Sequence, residues 1–117
     1  MAAVTVALVQ LRCDSAEPVA DRIERAFTMV REAAQRAEFV VLPELWHACA
    51  FDLPSARANA ERIEGPLVTA LRALAKECGI WLHGGSFAES EHADHYNTSV
   101  LIDPHGELAV TYRKIHL

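Results

Sequence analysis

Residues 66–87 read PLVTALRALAKECGIWLHGGSF, a helix handed directly to a strand. Leu67, Ala70, Leu71, Leu74, Ala75 and Cys78 recur at steps of three and four, which gathers apolar side chains on one helical face. Pro66 suits the first turn, where an N–H has no intrahelical partner. Gly79 supplies the left-handed residue that stops a helix. Residues 80–87 follow as a short apolar strand with glycines near its end.

Upstream, residues 4–11 (VTVALVQL) are β-branched and almost wholly apolar, as in a strand covered on both faces. Pro18 opens a helix over 18–36, with Val19, Ile23, Phe27, Val30 and Ala34 as its apolar stripe. Asp21, Arg22, Arg25, Glu32 and Arg36 fall largely away from that stripe. Residues 39–42 (FVVL), closed by Pro43, read as a second buried strand. Ser55 is placed to cap a short helix running to Arg62.

Downstream, residues 89–95 read as a polar loop and residues 97–103 (NTSVLID) as a fourth strand. Asp103-Pro104-His105-Gly106 is a turn, because proline presets φ and glycine frees it. Residues 108–112 return as a fifth strand, in a hairpin with the fourth. The order is β-α-β-(short α)-α-β-β-β. Early alternation of strands and helices implies parallel neighbours joined by crossovers. Two helices cover one sheet face and leave the other without cover, so something else is expected to pack there.

The chain has 117 residues, 51% hydrophobic and 23% charged, a globular composition and the size of one domain. No apolar run approaches the roughly 20 residues a membrane span needs. The N-terminus has no basic leader or cleavage site, so no secretory signal is read. Eleven basic and sixteen acidic residues give a net charge of −5. With no basic stripe, neither nucleic acid nor a membrane surface is an expected partner. Cys13, Cys49 and Cys78 are far apart, odd in number and form no CxxC pair. That pattern argues against a disulfide framework or zinc site and for a reduced, cytoplasmic protein.

Glu44 directly follows the second strand, and carboxyl ends of parallel strands are where open α/β sheets bind ligands. Beside Trp46 and Phe51 its pKa could be raised for work as a base; the plain alternative is a solvated or capping glutamate. Lys114 alternates with apolar neighbours and could point inward to meet a developing oxyanion, or simply face solvent. Lys76 lies on the polar face of its helix. Among the histidines, His92 and His95 share a polar loop, but spacing fixes no third metal ligand. Gly84-Gly85-Ser86 lacks the spacing of a phosphate loop or a nucleophile elbow and reads as close backbone packing.

Several stretches together resemble the nitrilase superfamily of carbon–nitrogen hydrolases. They are ALVQL at 7–11, AEFVVLPELW at 37–46, IEGPLVTALRALAKECGIWLHGGSF at 63–87 and YNTSVLIDPHGELAVTYRKIHL at 96–117. They occur in family order across essentially the whole chain, and the second falls where the family has a D-x-V-V-x-P-E pattern around its catalytic glutamate, with Glu38 here in the place of the aspartate. The resemblance implies an α/β fold that is part of an α-β-β-α sandwich, often dimerised. It matches Glu44 to the general base and Lys114 to the oxyanion-stabilising lysine, with Trp46 and Phe51 as candidate substrate contacts and no cofactor or metal. In the family a cysteine thiol attacks an amide or nitrile carbon, ammonia or an amine leaves, and water hydrolyses the thioester.

One departure is decisive. The family's nucleophilic cysteine and a second, supporting glutamate lie after the lysine, and this sequence ends three residues past Lys114. None of the three cysteines matches the nucleophile; Cys49 falls where many members carry a small residue, often glycine. Residues 1–117 are therefore expected to be the N-terminal part of one hydrolase domain, truncated before the nucleophile strand and inactive alone. Amides are the expected substrates, and a dimer or larger homo-oligomer the expected assembly. The alternative is a non-catalytic binding or assembly module on the same scaffold.

Overall fold

The computed structural model describes residues 2–49 and 52–115. Its elements are β1 (Val6–Leu8), α1 (Val19–Ala33), β2 (Phe39–Val41), α2 (Leu53–Ala58), α3 (Pro66–Cys78), β3 (Trp81–Glu91), β4 (Asp94–Ile102) and β5 (Leu108–Arg113). They build one five-stranded sheet in the order β1-β2-β3-β4-β5. β1, β2 and β3 are parallel neighbours, and β3, β4 and β5 form an antiparallel meander. The mixed α/β order expected from the residue pattern is the one observed.

Both long helices lie on one face of the sheet. Ala26 and Val30 of α1 and Leu67, Val68, Leu71, Leu74 and Ala75 of α3 share one buried cluster with Val40, Leu82, Val100 and Ile102. Gly79 ends α3 at φ 63°, as its position required. The other face is bare among the described residues. Strand register sets Val6, Phe39 and Trp81 in one row and Leu8, Val41, His83, Leu101 and Val110 in the next. Leu8 is 74% exposed and Val110 55%. One α-layer on one β-layer is thus present, half of a four-layer sandwich.

Four expectations change. Arg22 does not face solvent: it is 1% exposed. Its guanidinium donates to the carbonyls of His47 (2.8 Å), Asp14 (2.6 Å) and Glu17 (3.3 Å), which makes the burial tolerable. The short helix is capped by Asp52, whose carboxylate accepts from the Ser55 amide at 3.0 Å, and it ends at Ala58. Residues 89–95 are not a loop, because β3 and β4 stay paired out to Glu91 and Asp94. Their polarity reflects ion pairing of Glu89 and Glu91 with Arg113 of β5 rather than lack of structure.

Finally, Cys13 and Cys49 form a disulfide, leaving Cys78 as the free thiol of the described residues. Thirty-six positions separate the pair in sequence, yet their Cα atoms lie 5.6 Å apart. Each follows the carboxyl end of one of two adjacent parallel strands, so the intervening crossover brings the loops together. The argument for a wholly reduced protein from odd, distant cysteines therefore fails.

A bulge in β3 between His83 and Ser86 links the sheet to the segment after β2. Gly85 sits there at φ 68°, and a Cβ on it would fall 2.9 Å from the Leu42 carbonyl oxygen and closer still to that of Pro43. Gly79 is also left-handed, but a Cβ there meets nothing within 4 Å. Gly79→Ala is expected to cost about 1 kcal/mol, and Gly85→Ala at least about 2–4 kcal/mol through strain plus collision. Urea unfolding of the two variants checks the contrast; equal losses would contradict the close packing at Gly85.

Candidate active site

β2 ends at Val41, and the next three residues are fastened to β3 by the bulge. The Leu42 amide donates to the His83 carbonyl at 2.9 Å, and the Ser86 amide to the Pro43 carbonyl at 3.3 Å. Leu45 turns the chain at φ 49°, a conformation costly for a branched side chain. Its amide donates to Ser86 Oγ at 3.0 Å. Glu44 is held between these ties, just beyond the carboxyl end of a parallel strand.

Lys114 reaches the same place from the far side of the sheet. Its Nζ lies 3.1 Å from Glu44 Oε2, across 70 residues of sequence. Asn97, near the start of β4, serves both: its side-chain amide donates to Glu44 Oε2 at 2.8 Å, and its backbone carbonyl accepts from the Lys114 amide at 2.9 Å. The three groups line a cleft of about 310 Å³ with Leu42, His83, Gly85, Ser86, Ser99 and Tyr112. His83 Nδ1 accepts from the Gly85 amide at 3.1 Å, so this imidazole is tied to the bulge.

The charges differ from expectation. The Lys114 ammonium, and next the Asn97 amide, hold the Glu44 carboxyl below the usual carboxylate range, while burial opposes them weakly. Apolar neighbours do not raise it. The two side chains are about half exposed, 56% for Glu44 and 48% for Lys114, so a Coulombic gain between them is small in water. The arrangement supplies an ionised carboxylate and an ammonium facing one cleft, the parts of a base and an oxyanion-binding cation.

Trp46 does not line this cleft. It is 2% exposed in the core, with its indole N–H donating to the Gly84 carbonyl at 2.9 Å. The apolar character that suggested a substrate wall is spent on packing and on anchoring the turn. Phe51 lies outside the described residues. His92 occupies the β3–β4 turn at φ 54°, and His95 is the second residue of β4, opposite Ser90. Among the described residues no cluster of three His, Cys, Asp or Glu could hold a metal ion. Burial holds the His47 imidazole below its usual pKa, and burial pushes the Cys78 thiol up. Cys49, with φ 67°, occupies a left-handed position of the kind glycine favours.

Residue pattern alone missed Asn97 and Ser86. Asn97 is the second residue of the motif YNTSVLID, but a polar residue near a strand start carries no sign of what it will hold. Ser86 was read only as part of a glycine-rich strand end, whereas its hydroxyl supports the turn after Glu44.

Behind the sheet from Lys114, on the helix-covered side, Arg113 forks onto Glu89. Its Nε donates to Oε1 at 2.9 Å and its Nη2 to Oε2 at 2.7 Å. Glu89 also accepts from Thr98 Oγ1 at 2.6 Å. The Arg113 hydrogen bonds hold the Glu89 carboxyl below its usual range against the opposing effect of burial.

Residues 5–117 match the carbon–nitrogen hydrolase family, and the chain belongs to it. It is 43% identical over 115 residues to the 2-oxoglutaramate amidase of Paenarthrobacter nicotinovorans, covering 95% of this chain and 39% of that protein. It is 39% identical over 118 residues to omega-amidase NIT2 of Homo sapiens, covering all of this chain and 42% of that one. Among solved structures, Saccharomyces cerevisiae Nit3, of the nitrilase superfamily, has a TM-score of 0.84 at 30% identity over 97% of this chain and 44% of its own. The chain thus spans about 40% of the length of the curated relatives it matches. None of its described helices is long and apolar enough to cross a membrane.

Non-reducing peptide mapping of the purified protein is expected to recover Cys13 and Cys49 cross-linked and Cys78 alkylated as a free thiol. Recovery of Cys13 and Cys49 as separately alkylated peptides would contradict the disulfide.

Proposed function

We propose that residues 1–117 are the N-terminal part of a single amidase-type carbon–nitrogen hydrolase domain that releases ammonia from a small amide. The observation that carries this reading is the contact between Glu44 and Lys114 at 3.1 Å, in a cleft at the carboxyl end of β2. In this reading Glu44 takes the proton from a cysteine thiol supplied by the rest of the domain. The thiolate attacks the amide carbon, and Lys114 faces the oxygen as it becomes negative. The proton returns to the leaving nitrogen, ammonia departs, and water attacks the thioester with Glu44 again as base.

The relatives named as omega-amidase and 2-oxoglutaramate amidase point to an amide at the end of a short carboxylic acid as the substrate class. Assembly as a homo-oligomer and a cytoplasmic location belong to the same reading. The latter requires the Cys13–Cys49 bond to persist against a reducing thiol pool, which is uncommon in that compartment.

The complete protein is expected to release ammonia from 2-oxoglutaramate. Glu44→Gln and Lys114→Ala are each expected to lower turnover at least about a hundredfold. Wild-type rates in both would overturn the roles assigned here. Glu44 has a depressed pKa, so it stays ionised as pH falls past the ordinary carboxylate value and protonates only below it. Asn97→Ala removes one of the two donors and is expected to move the acid limb of kcat upward in pH.

A further inference from the structure

Lys114 stands one residue past β5 with its side chain half exposed, held by one contact to Glu44 and one backbone bond to Asn97. The residue before it is held firmly. Arg113 gives Glu89 a two-bond fork at 2.9 and 2.7 Å, gives Glu91 a further bond at 2.7 Å, and lays its guanidinium 3.9 Å from the centre of the Tyr96 ring. The Glu89 side chain is only 4% exposed and takes a third bond from Thr98, the β4 residue directly opposite Arg113 in register. An exposed ion pair contributes little. Here the acceptor is buried, and the fork fixes the direction of the guanidinium as well as its distance.

Successive side chains on a strand point to opposite faces. Glu89, Thr98 and Arg113 share the helix-covered face, while Asn97, Ser99, Tyr112 and Lys114 share the cleft face. Locking Arg113 to one side sends Lys114 to the other, and a slip of one residue would exchange them. We propose that Glu89, acting through Arg113, is the positioning residue for Lys114, setting the strand end that delivers the ammonium to Glu44. This rests on the reading of Glu44 and Lys114 as the working pair, and its test reads that pair directly.

The experiment is a carbon-detected NMR titration of the Glu44 carboxyl in the complete protein, with kcat and KM measured in parallel. In Glu89→Gln the shape of the buried group is kept and the charge on the fork is lost. Glu44 is then expected to titrate higher than in wild type, kcat to fall about tenfold through misplacement, and KM to change less than about twofold. The sign is diagnostic. Removing a negative charge would by itself lower the Glu44 pKa, so a rise reports loss of the ammonium. Glu77→Gln, which breaks a distant pair with Arg31, is expected to leave both readouts at wild-type values.

A folded Glu89→Gln protein with unchanged or lowered Glu44 titration would overturn the proposal, whatever its turnover. Should that variant not fold, Arg113→Lys keeps a charge opposite Glu89 and loses the fork. The same upward movement is expected there, and an unchanged titration overturns the proposal equally. Absence of ammonia release by the wild-type protein would sink the functional reading alone, because the titration still decides the positioning.

Discussion

A carboxylate after β2 and an ammonium after β5 can meet only if those two strands run the same way. β1 to β3 are parallel, β4 reverses and β5 reverses again, so β5 shares the direction of β2 and β3. Both carboxyl ends reach one edge of the sheet, and the first residues of β4 arrive there too. Asn97 lies near that start and ties the two residues together, its side chain on the Glu44 carboxylate and its backbone carbonyl on the Lys114 amide. A longer or shorter run of antiparallel strands, odd where this one is even, would send Lys114 to the opposite edge. The crossover helices and the hairpins are, in this sense, the means by which positions 44 and 114 come within hydrogen-bond distance.

Direction alone does not fix a side chain to within an ångström. On the Glu44 side the tolerance is set by backbone. A β3 bulge at Gly85 lies against the Pro43 carbonyl, Ser86 receives the Leu45 amide, and buried Trp46 anchors the turn to Gly84. Arg22 reinforces it from α1 through the His47 carbonyl, and the Cys13–Cys49 bond ties the same segment to the loop after β1. On the Lys114 side the restraint comes from side chains, through Arg113 and Glu89. The pair is exposed enough that its mutual attraction contributes little stability, so the scaffold holds the contact rather than the reverse.

Much of this was legible in the residues. The three-and-four spacing of α3, the Gly79 stop, the strand at Phe39–Val41 and the turn at Pro104 are local signals, and local physics decides them. Glu44 was visible because it follows a strand, and Lys114 because the motifs around it resemble those of one family. Arg22 was not legible, since its burial depends on carbonyls at positions 14, 17 and 47 that only the fold assembles. The Cys13–Cys49 bond and the Asn97 bridge fail to show for the same reason. The pairing of residues 89–95 was hidden by their polarity, because ion pairs with Arg113 supply what apolar contacts usually do. The expected rise in the Glu44 pKa was wrong for a related cause: the partner that lowers it stands 70 positions away.

The cleft opens toward the bare sheet face, where His83, Ser99 and Tyr112 sit beside Leu101 and Val110. In the proposed reading the rest of the domain covers that face and walls the cleft, and drying the pair there would strengthen the charge interactions inside it. A crystal structure of the complete protein tests the central claim most directly. The account predicts Lys114 Nζ within hydrogen-bond distance of the Glu44 carboxylate and a cysteine Sγ facing both across the closed cleft. Lys114 turned to the helix-covered side, or no thiol within reach of the two, would contradict it.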